Sequence, residues 1–432
     1  MKLIHQAKIV NEGQIFKGSV LIENDKIKKI FKENVPENIL LNSEVIDAEG
    51  MYLLPGVIDD HVHFREPGLT HKATMATESR AAAAGGVTTW MDMPNCNPQT
   101  ISIAAVEDKI RIAEEMAVGN AMFYLGVTND NIEGIVSGKM DLSKVCGLKL
   151  FLGSSTGNML VNQKEKIEKL LSSTDKLIAV HAEDNDIINK NIEAIKADFK
   201  EELVPMYYHA LIRNVEACYK ASSMIVEMAH KYNSRLHLLH VSTAKELSLL
   251  DKKSATIDKL VTAETCPQYL WFDASQYDKF GARIKCNPAI KSSVNRDALI
   301  KALSMGIIDV IGTDHAPHLL SEKEGDCLHA VSGMPQIQYS LVAMLELAKQ
   351  GKMTIEQVVE RMSHAPATIF RIEKRGFIRK GYFADLVLVD RNKKTNVCSD
   401  NILSLCGWSP YEGMEFSHKV VRTFCNGKEI FY

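Results

Sequence analysis

The period of apolar positions along this chain changes twice. Over the first fifty residues apolar and polar positions alternate in short runs, 2–10, 18–23 and 27–31, with a turn at Asn24-Asp25, which is the pattern of β-strands. The last fifty residues repeat it. Residues 381–390 alternate, and 420–432 hold two strand-like runs split by Asn426-Gly427, a hairpin dipeptide. Neither end carries enough apolar surface for a core of its own, so the two are expected to build one small composite β-sandwich, with 1–54 and 369–432 as its parts. The middle, 55–368, then folds as an insertion between them.

That middle repeats a short β-branched run, a loop and a helical stretch. Eight runs stand out, at 57–64, 87–94, 122–128, 147–153, 177–184, 236–242, 261–270 and 309–318. Stretches such as 74–84, 104–117 and 214–232 space their apolar residues by three and four, as helices do. Eight strand–helix units predict a closed (β/α)8 TIM barrel of the α/β class, whose chemistry sits at the C-terminal ends of the strands. A chain of 432 residues is long enough for such a barrel and a smaller domain.

Composition narrows the partners. Hydrophobic residues make up 46% and charged residues 24%, which is ordinary for a globular protein. The formal charge of −3 offers no footprint for nucleic acid and no polybasic membrane signal, so the expected partner is a small molecule. Nine cysteines are scattered without a C-x-x-C pair, which fits a reducing compartment and argues against a thiolate zinc site. The opening MKLIHQAKIV lacks a signal-peptide core and no run approaches the ~20 apolar residues of a spanning helix, so the protein is expected in the cytoplasm.

The polar residues at the strand ends carry the chemistry. His61 and His63 in IDDHVHFREPG sit two apart, and period two in a strand points both rings to one face. His181 in VHAED, His240 in LHVS and Asp314 in GTDHAPH fall at the ends of the fifth, sixth and eighth runs. One strand histidine alone is usually structural; four with a carboxylate, converging in one ring, are ligands enough for two divalent zinc ions. Two metals need a bridging anion, and the fourth run, GLKLFLGSSTG, holds no Asp or Glu. It offers Lys149, which as an ammonium would repel zinc but as the carbamate formed with CO2 could bridge both ions. A lysine paired with a buried acid is the plain alternative.

DHVHFREPG, AGGVTTWMDMPN, GLKLFLGSS, VHAED, LHVSTAKE, ETCPQYL and GTDHAPH, in that order along nearly the whole chain, resemble the amidohydrolase superfamily and, within it, the class I dihydroorotases. The resemblance implies the same barrel with a composite sandwich, and reversible ring closure of N-carbamoyl-L-aspartate to L-dihydroorotate in pyrimidine biosynthesis. It assigns His61 and His63 to the more buried zinc, His181 and His240 to the more exposed one, carbamylated Lys149 to the bridge, and Asp314 to metal contact and proton transfer as base and then acid. Arg65, Asn95 and His318 match positions that meet the ring carboxylate. Asn287 matches one that hydrogen-bonds the substrate amide, and Ser332 and Gly333 match a loop whose main chain completes the pocket. Glu264 reads as an acid orienting a metal ligand or as a plain structural acid.

Three positions depart from the family pattern: Gln336, where the loop usually has Gly; Gln268, where relatives often carry His; and Cys96, where dihydroorotases commonly have Thr. Allantoinases, hydantoinases and dihydropyrimidinases would share every metal ligand, and Arg65 speaks for a carboxylated substrate instead. An inactive scaffold for aspartate transcarbamoylase would have lost metal ligands, and none is lost here. The resemblance leaves open a homodimer and a contact with aspartate transcarbamoylase.

Overall fold

The computed structural model describes residues 1–153, 159–200, 202–251 and 259–432. Five strands open the chain: β1 (Lys2–Asn11), β2 (Gln14–Glu23), β3 (Lys26–Phe31), β4 (Glu44–Asp47) and β5 (Tyr52–Pro55). Only Gly56 separates β5 from the barrel. A side chain there would put its Cβ 2.1 Å from Thr88 Oγ1, so glycine is what lets the chain pass directly from one sheet to the other.

Eight parallel strands follow in sequential order: β6 (Val57–Val62), β7 (Val87–Asp92), β8 (Asn120–Gly126), β9 (Gly147–Phe151), β10 (Ile178–His181), β11 (Leu236–Leu238), β12 (Val261–Thr265) and β13 (Val310–Ile311). Those that cross the barrel centre are buried on both faces, as strands of a helix-covered parallel sheet must be. Helices Met75–Ala84, Ile103–Met116 and Val215–Tyr232 lie over the barrel at the predicted stretches, each packed against the barrel strand that follows it.

The ring closes between β6 and the segment after β13. Val62 bridges His315 in parallel, and the His63 N–H donates to His315 O at 2.8 Å. Asp59 reinforces the seam: its carboxylate accepts from Thr313 N–H at 2.9 Å, from the Thr313 hydroxyl at 2.6 Å and from His61 N–H at 3.2 Å.

The C-terminal piece supplies β14 (Leu386–Asp390), a short ladder of β15 (Thr395–Asn396) and β16 (Glu415–Phe416), and the hairpin β17 (Lys419–Cys425) and β18 (Lys428–Phe431). Both residues of the Asn426-Gly427 turn have positive φ, +51° and +71°, the requirement of the tight hairpin turn that their identities predict. Both termini enter one eight-stranded sheet in the order β18-β17-β14-β5-β1-β2-β3, with β4 also on β1, around an apolar core that includes Ile9, Val20, Leu53, Leu386 and Phe424. The segment between β15 and β16 leaves that sheet and lies on the barrel, where Trp408 Nε1 donates to His318 O at 2.8 Å.

Several runs read as strands end earlier than expected. The run 261–270 turns helical at Pro267–Trp271, because proline at the first helical position presets φ and has no N–H to lose. β11 and β13 stop short of His240 and Asp314, both of which take left-handed φ values, +41° and +48°, incompatible with a continuing ladder. Among the described residues no helix is long and apolar enough to cross a membrane.

Replacing Asp59 by Ala leaves three buried donors without an acceptor at the seam. Asp59→Ala should lower stability by about 3 kcal/mol, read as a fall in the urea midpoint. An unchanged midpoint would show that the seam does not depend on this carboxylate.

Candidate active site

A cavity at the C-terminal end of the barrel is lined by His61, His63, Arg65, Asn95, Lys149, Phe151, His181, His240, Asn287, Asp314, Ala316, Ser332 and Gly333. Eleven of the twelve residues singled out from the sequence line it. The twelfth, His318, sits behind Arg65, its Nε2 2.9 Å from Arg65 Nη2. Phe151 and Ala316 were not singled out: an apolar residue at a strand end carries no chemical signal.

His61 Nε2 and His63 Nε2 lie 3.2 and 3.1 Å from the same oxygen, Asp314 Oδ1, so three ligand atoms from opposite sides of the seam converge. Their other nitrogens are spoken for. His63 Nδ1 lies 2.7 Å from the Asn95 side-chain carbonyl, and His61 Nδ1 lies 3.0 Å from Glu264 Oε1. With Nδ1 protonated toward an acceptor, each Nε2 presents a lone pair, the tautomer a metal needs. Burial holds both rings at about 4, so both are neutral at pH 7.

His181 Nδ1 and His240 Nε2 face each other at 2.9 Å, and the buried Nδ1 of His240 has no hydrogen-bond partner. A cation between the facing nitrogens would take both lone pairs, so this pair fits a second metal. Glu264 Oε1 also accepts from His240 N–H at 2.8 Å and thereby ties together one ligand from each half of the ring. These contacts are what an orienting acid would make. Glu264 also groups with Asp60 and His237, all fully buried; burial raises Asp60 and brings Glu264 up to about 7.

Lys149 projects from β9 and is 1% exposed. Its Nζ lies 4.5 Å from the centroid of the Phe151 ring; among the described residues it has no ion pair with an acid. The plain alternative of a salt-bridged lysine finds no bonded acid among the described residues. Burial, against the pull of Asp314 and Glu264, brings its ammonium down to about 7, so the neutral amine that CO2 requires is available near neutral pH. Ser154 and Ser155, which end the lysine motif, lie outside the described residues.

Two groups escaped the sequence reading. Glu183 Oε2 lies 3.1 Å from His181 Nε2 and is ion-paired with Arg213. Burial works against its charge, but Arg213 and His181 outweigh that and hold the carboxyl at about 2. Glu183 follows His181 by two in VHAED and was within reach of inspection; Arg213, thirty residues on, gave no signal. The departures from the family pattern also have a physical account. Gln336 is buried and its amide donates to Gln268 Oε1 at 2.5 Å, so two of the unusual residues pair with each other. Cys96 bonds the loop through Pro98 O at 3.1 Å and Thr100 Oγ1 at 3.3 Å, as a hydroxyl would.

The profile of the amidohydrolase family matches residues 52–430. The chain belongs to the amidohydrolase family. It is 31% identical over 413 residues to a dihydroorotase of Methanosphaera stadtmanae, covering 95% of this chain and 92% of that one. It is also 30% identical over 436 residues to an allantoinase of Bacillus velezensis, covering 99% and 93%. Among solved structures, an L-hydantoinase (dihydropyrimidinase) from Arthrobacter aurescens superposes with a TM-score of 0.91 at 26% identity over 99% of this chain and 95% of that one. These relatives support a hydrolase of the cyclic-amide class acting on a small molecule.

Neutralising Glu183 loosens the orientation of His181 without removing a ligand. Glu183→Gln should weaken metal retention by about 10–100-fold, measured by competition with a chromophoric chelator. Retention equal to wild type would show that Glu183 serves only Arg213.

Proposed function

We propose that the protein is a dihydroorotase, interconverting N-carbamoyl-L-aspartate and L-dihydroorotate with two zinc ions bridged by carbamylated Lys149. The observation that carries this reading is the state of Arg65. Its guanidinium is 4% exposed and lines the cavity. Among the described residues its bonds run to neutral groups only, Nε to Pro317 O at 3.0 Å and Nη2 to the imidazole of His318. Burial pulls the guanidinium down to about 10, so it is charged at pH 7, while burial and the neighbouring cations Arg65 and Lys72 keep His318 neutral. Asp314, Asp92 and Glu322 act on the Arg65 guanidinium from a distance, but among the described residues no carboxylate is bonded to it, and a carboxylate on the substrate ring would supply that partner. The rings of hydantoin, allantoin and dihydrouracil carry none.

His61 and His63 with Asp314 would hold one ion, His181 and His240 the other. Carbamylation would join the neutral Lys149 amine to the carbon of CO2 with release of one proton, the ammonium having given up another beforehand, so that a carboxylate would stand where a repelling cation stood. Bound divalent ions supply a lowered pKa for water and a polarised amide carbonyl. Asp314 accepts the proton of the attacking water and returns it to the departing amide nitrogen; ring closure runs the same path backwards. Arg65 fixes the ring carboxylate, and Asn287, whose buried Oδ1 has no partner, is placed to accept from a ring N–H. All nine cysteines are unpaired, which suits a cytoplasmic site of action.

The test compares wild type and Arg65→Lys on dihydroorotate, dihydrouracil, hydantoin and allantoin. Lysine offers a point charge in place of parallel donors, so kcat/KM for dihydroorotate should fall roughly thirty-fold to a few thousand-fold, as expected for about 2–5 kcal/mol from a broken buried charge pair. Preference of the wild type for an uncharged ring, or equal loss on all four substrates, would assign the chain to another cyclic amidohydrolase activity.

A further inference from the structure

The wall of the cavity opposite the metal ligands is made by Asn287, Ser332 and Gly333, which come from two segments that share no strand or helix. A third segment, the single 3-10 turn Leu320–Lys323, joins them. Lys323 Nζ donates to Val331 O at 2.6 Å, to Gly333 O at 2.7 Å and to Lys285 O at 3.3 Å, so all three of its protons are used and all three acceptors are main-chain carbonyls. The knot is reciprocal. Gly333 N–H donates to Lys285 O at 2.9 Å, Val331 N–H to Glu322 O at 2.9 Å, and Lys285 Nζ bonds Ala330 O.

We propose that Lys323 is a positioning residue of the substrate cavity, clamping the Val331–Gly333 wall to the Lys285–Asn287 wall in the shape that the ring substrate meets. The inference rests on the cyclic-amide reading above.

Three observations make the clamp more than packing. Lys323 is 6% exposed, and burial, with Lys285 and Arg65 adding to it against Cys286 and Glu322, brings its ammonium down to about 7. A methionine would fill that space without a desolvation penalty, so the charge is justified only by what its donors hold. Gly333 also has little freedom to adjust by itself. Its φ is +129°, and a Cβ there would lie 2.8 Å from Ala316 O and 2.9 Å from His318 Cδ2, which shows how closely the loop presses on the segment that carries Arg65's partner. Finally, an ammonium with three carbonyls around it fixes the distance between the two walls, which an apolar side chain of the same size does not.

The experiment uses the full-length, zinc-loaded enzyme carrying Lys323→Met. KM for dihydroorotate should rise about tenfold or more while kcat changes by less than about threefold, the signature of lost ground-state and transition-state binding alike. Zinc content should stay at the wild-type value. Hydrogen exchange of the peptide covering 330–334 should speed up about tenfold or more, with the peptide covering β17 unchanged. If Lys323→Met does not fold, Lys323→Gln, which keeps two N–H donors, should show the same shifts in smaller measure. A folded variant with wild-type KM and wild-type exchange, or one that loses kcat with KM unchanged, overturns the proposal. Faster exchange in a protein inert toward every ring tested would support the clamp and refute the substrate assignment instead.

Discussion

Everything at the cavity depends on the seam where the first barrel strand meets the segment after the eighth. The Asp59 carboxylate, bonded to both the main chain and the hydroxyl of Thr313, fixes the register of that meeting. With the register set, Asp314 falls between His61 and His63, and Pro317 and His318 fall beside Arg65. A slip of one residue would turn each of these side chains to the opposite face. The same seam therefore assembles the candidate metal ligands on one side and the Arg65 guanidinium on the other.

The site's electrostatics follow from what burial leaves unpaired. Asp60 and Glu264 lie together with His237, and burial raises both acids, Glu264 to about 7. Lys149 and Arg65, by contrast, are buried cations without a carboxylate partner in the described structure. The two are resolved differently. The amine of Lys149 is available near pH 7 and, on the function proposed above, is taken up as the carbamate; Arg65 keeps its proton there, and on the same proposal its counter-charge arrives with the substrate.

Much of this was legible from residue types at strand ends. The His-x-His pair, the lone histidines after two later runs and the aspartate after the last one are short-range signals, because period two and strand order fix where they point. What escaped depends on pairings across long stretches of chain: Glu183 with Arg213, Gln336 with Gln268, His318 turned toward Arg65 instead of the cavity, and Lys323 reaching two loops. No local period encodes such contacts. Strand ends were also overread where proline or left-handed backbone stops the ladder, as at Pro267, His240 and Asp314.

The central claim is that Lys149 carries the anion that the fourth strand otherwise lacks. Its most direct test is a carbon-13 NMR spectrum of the zinc-loaded protein equilibrated with labelled bicarbonate, with Lys149→Ala as the comparison. The account predicts one slowly exchanging carbamate resonance per chain in the wild type and none in the variant. Absence of that resonance from a fully metallated, active wild type would contradict it.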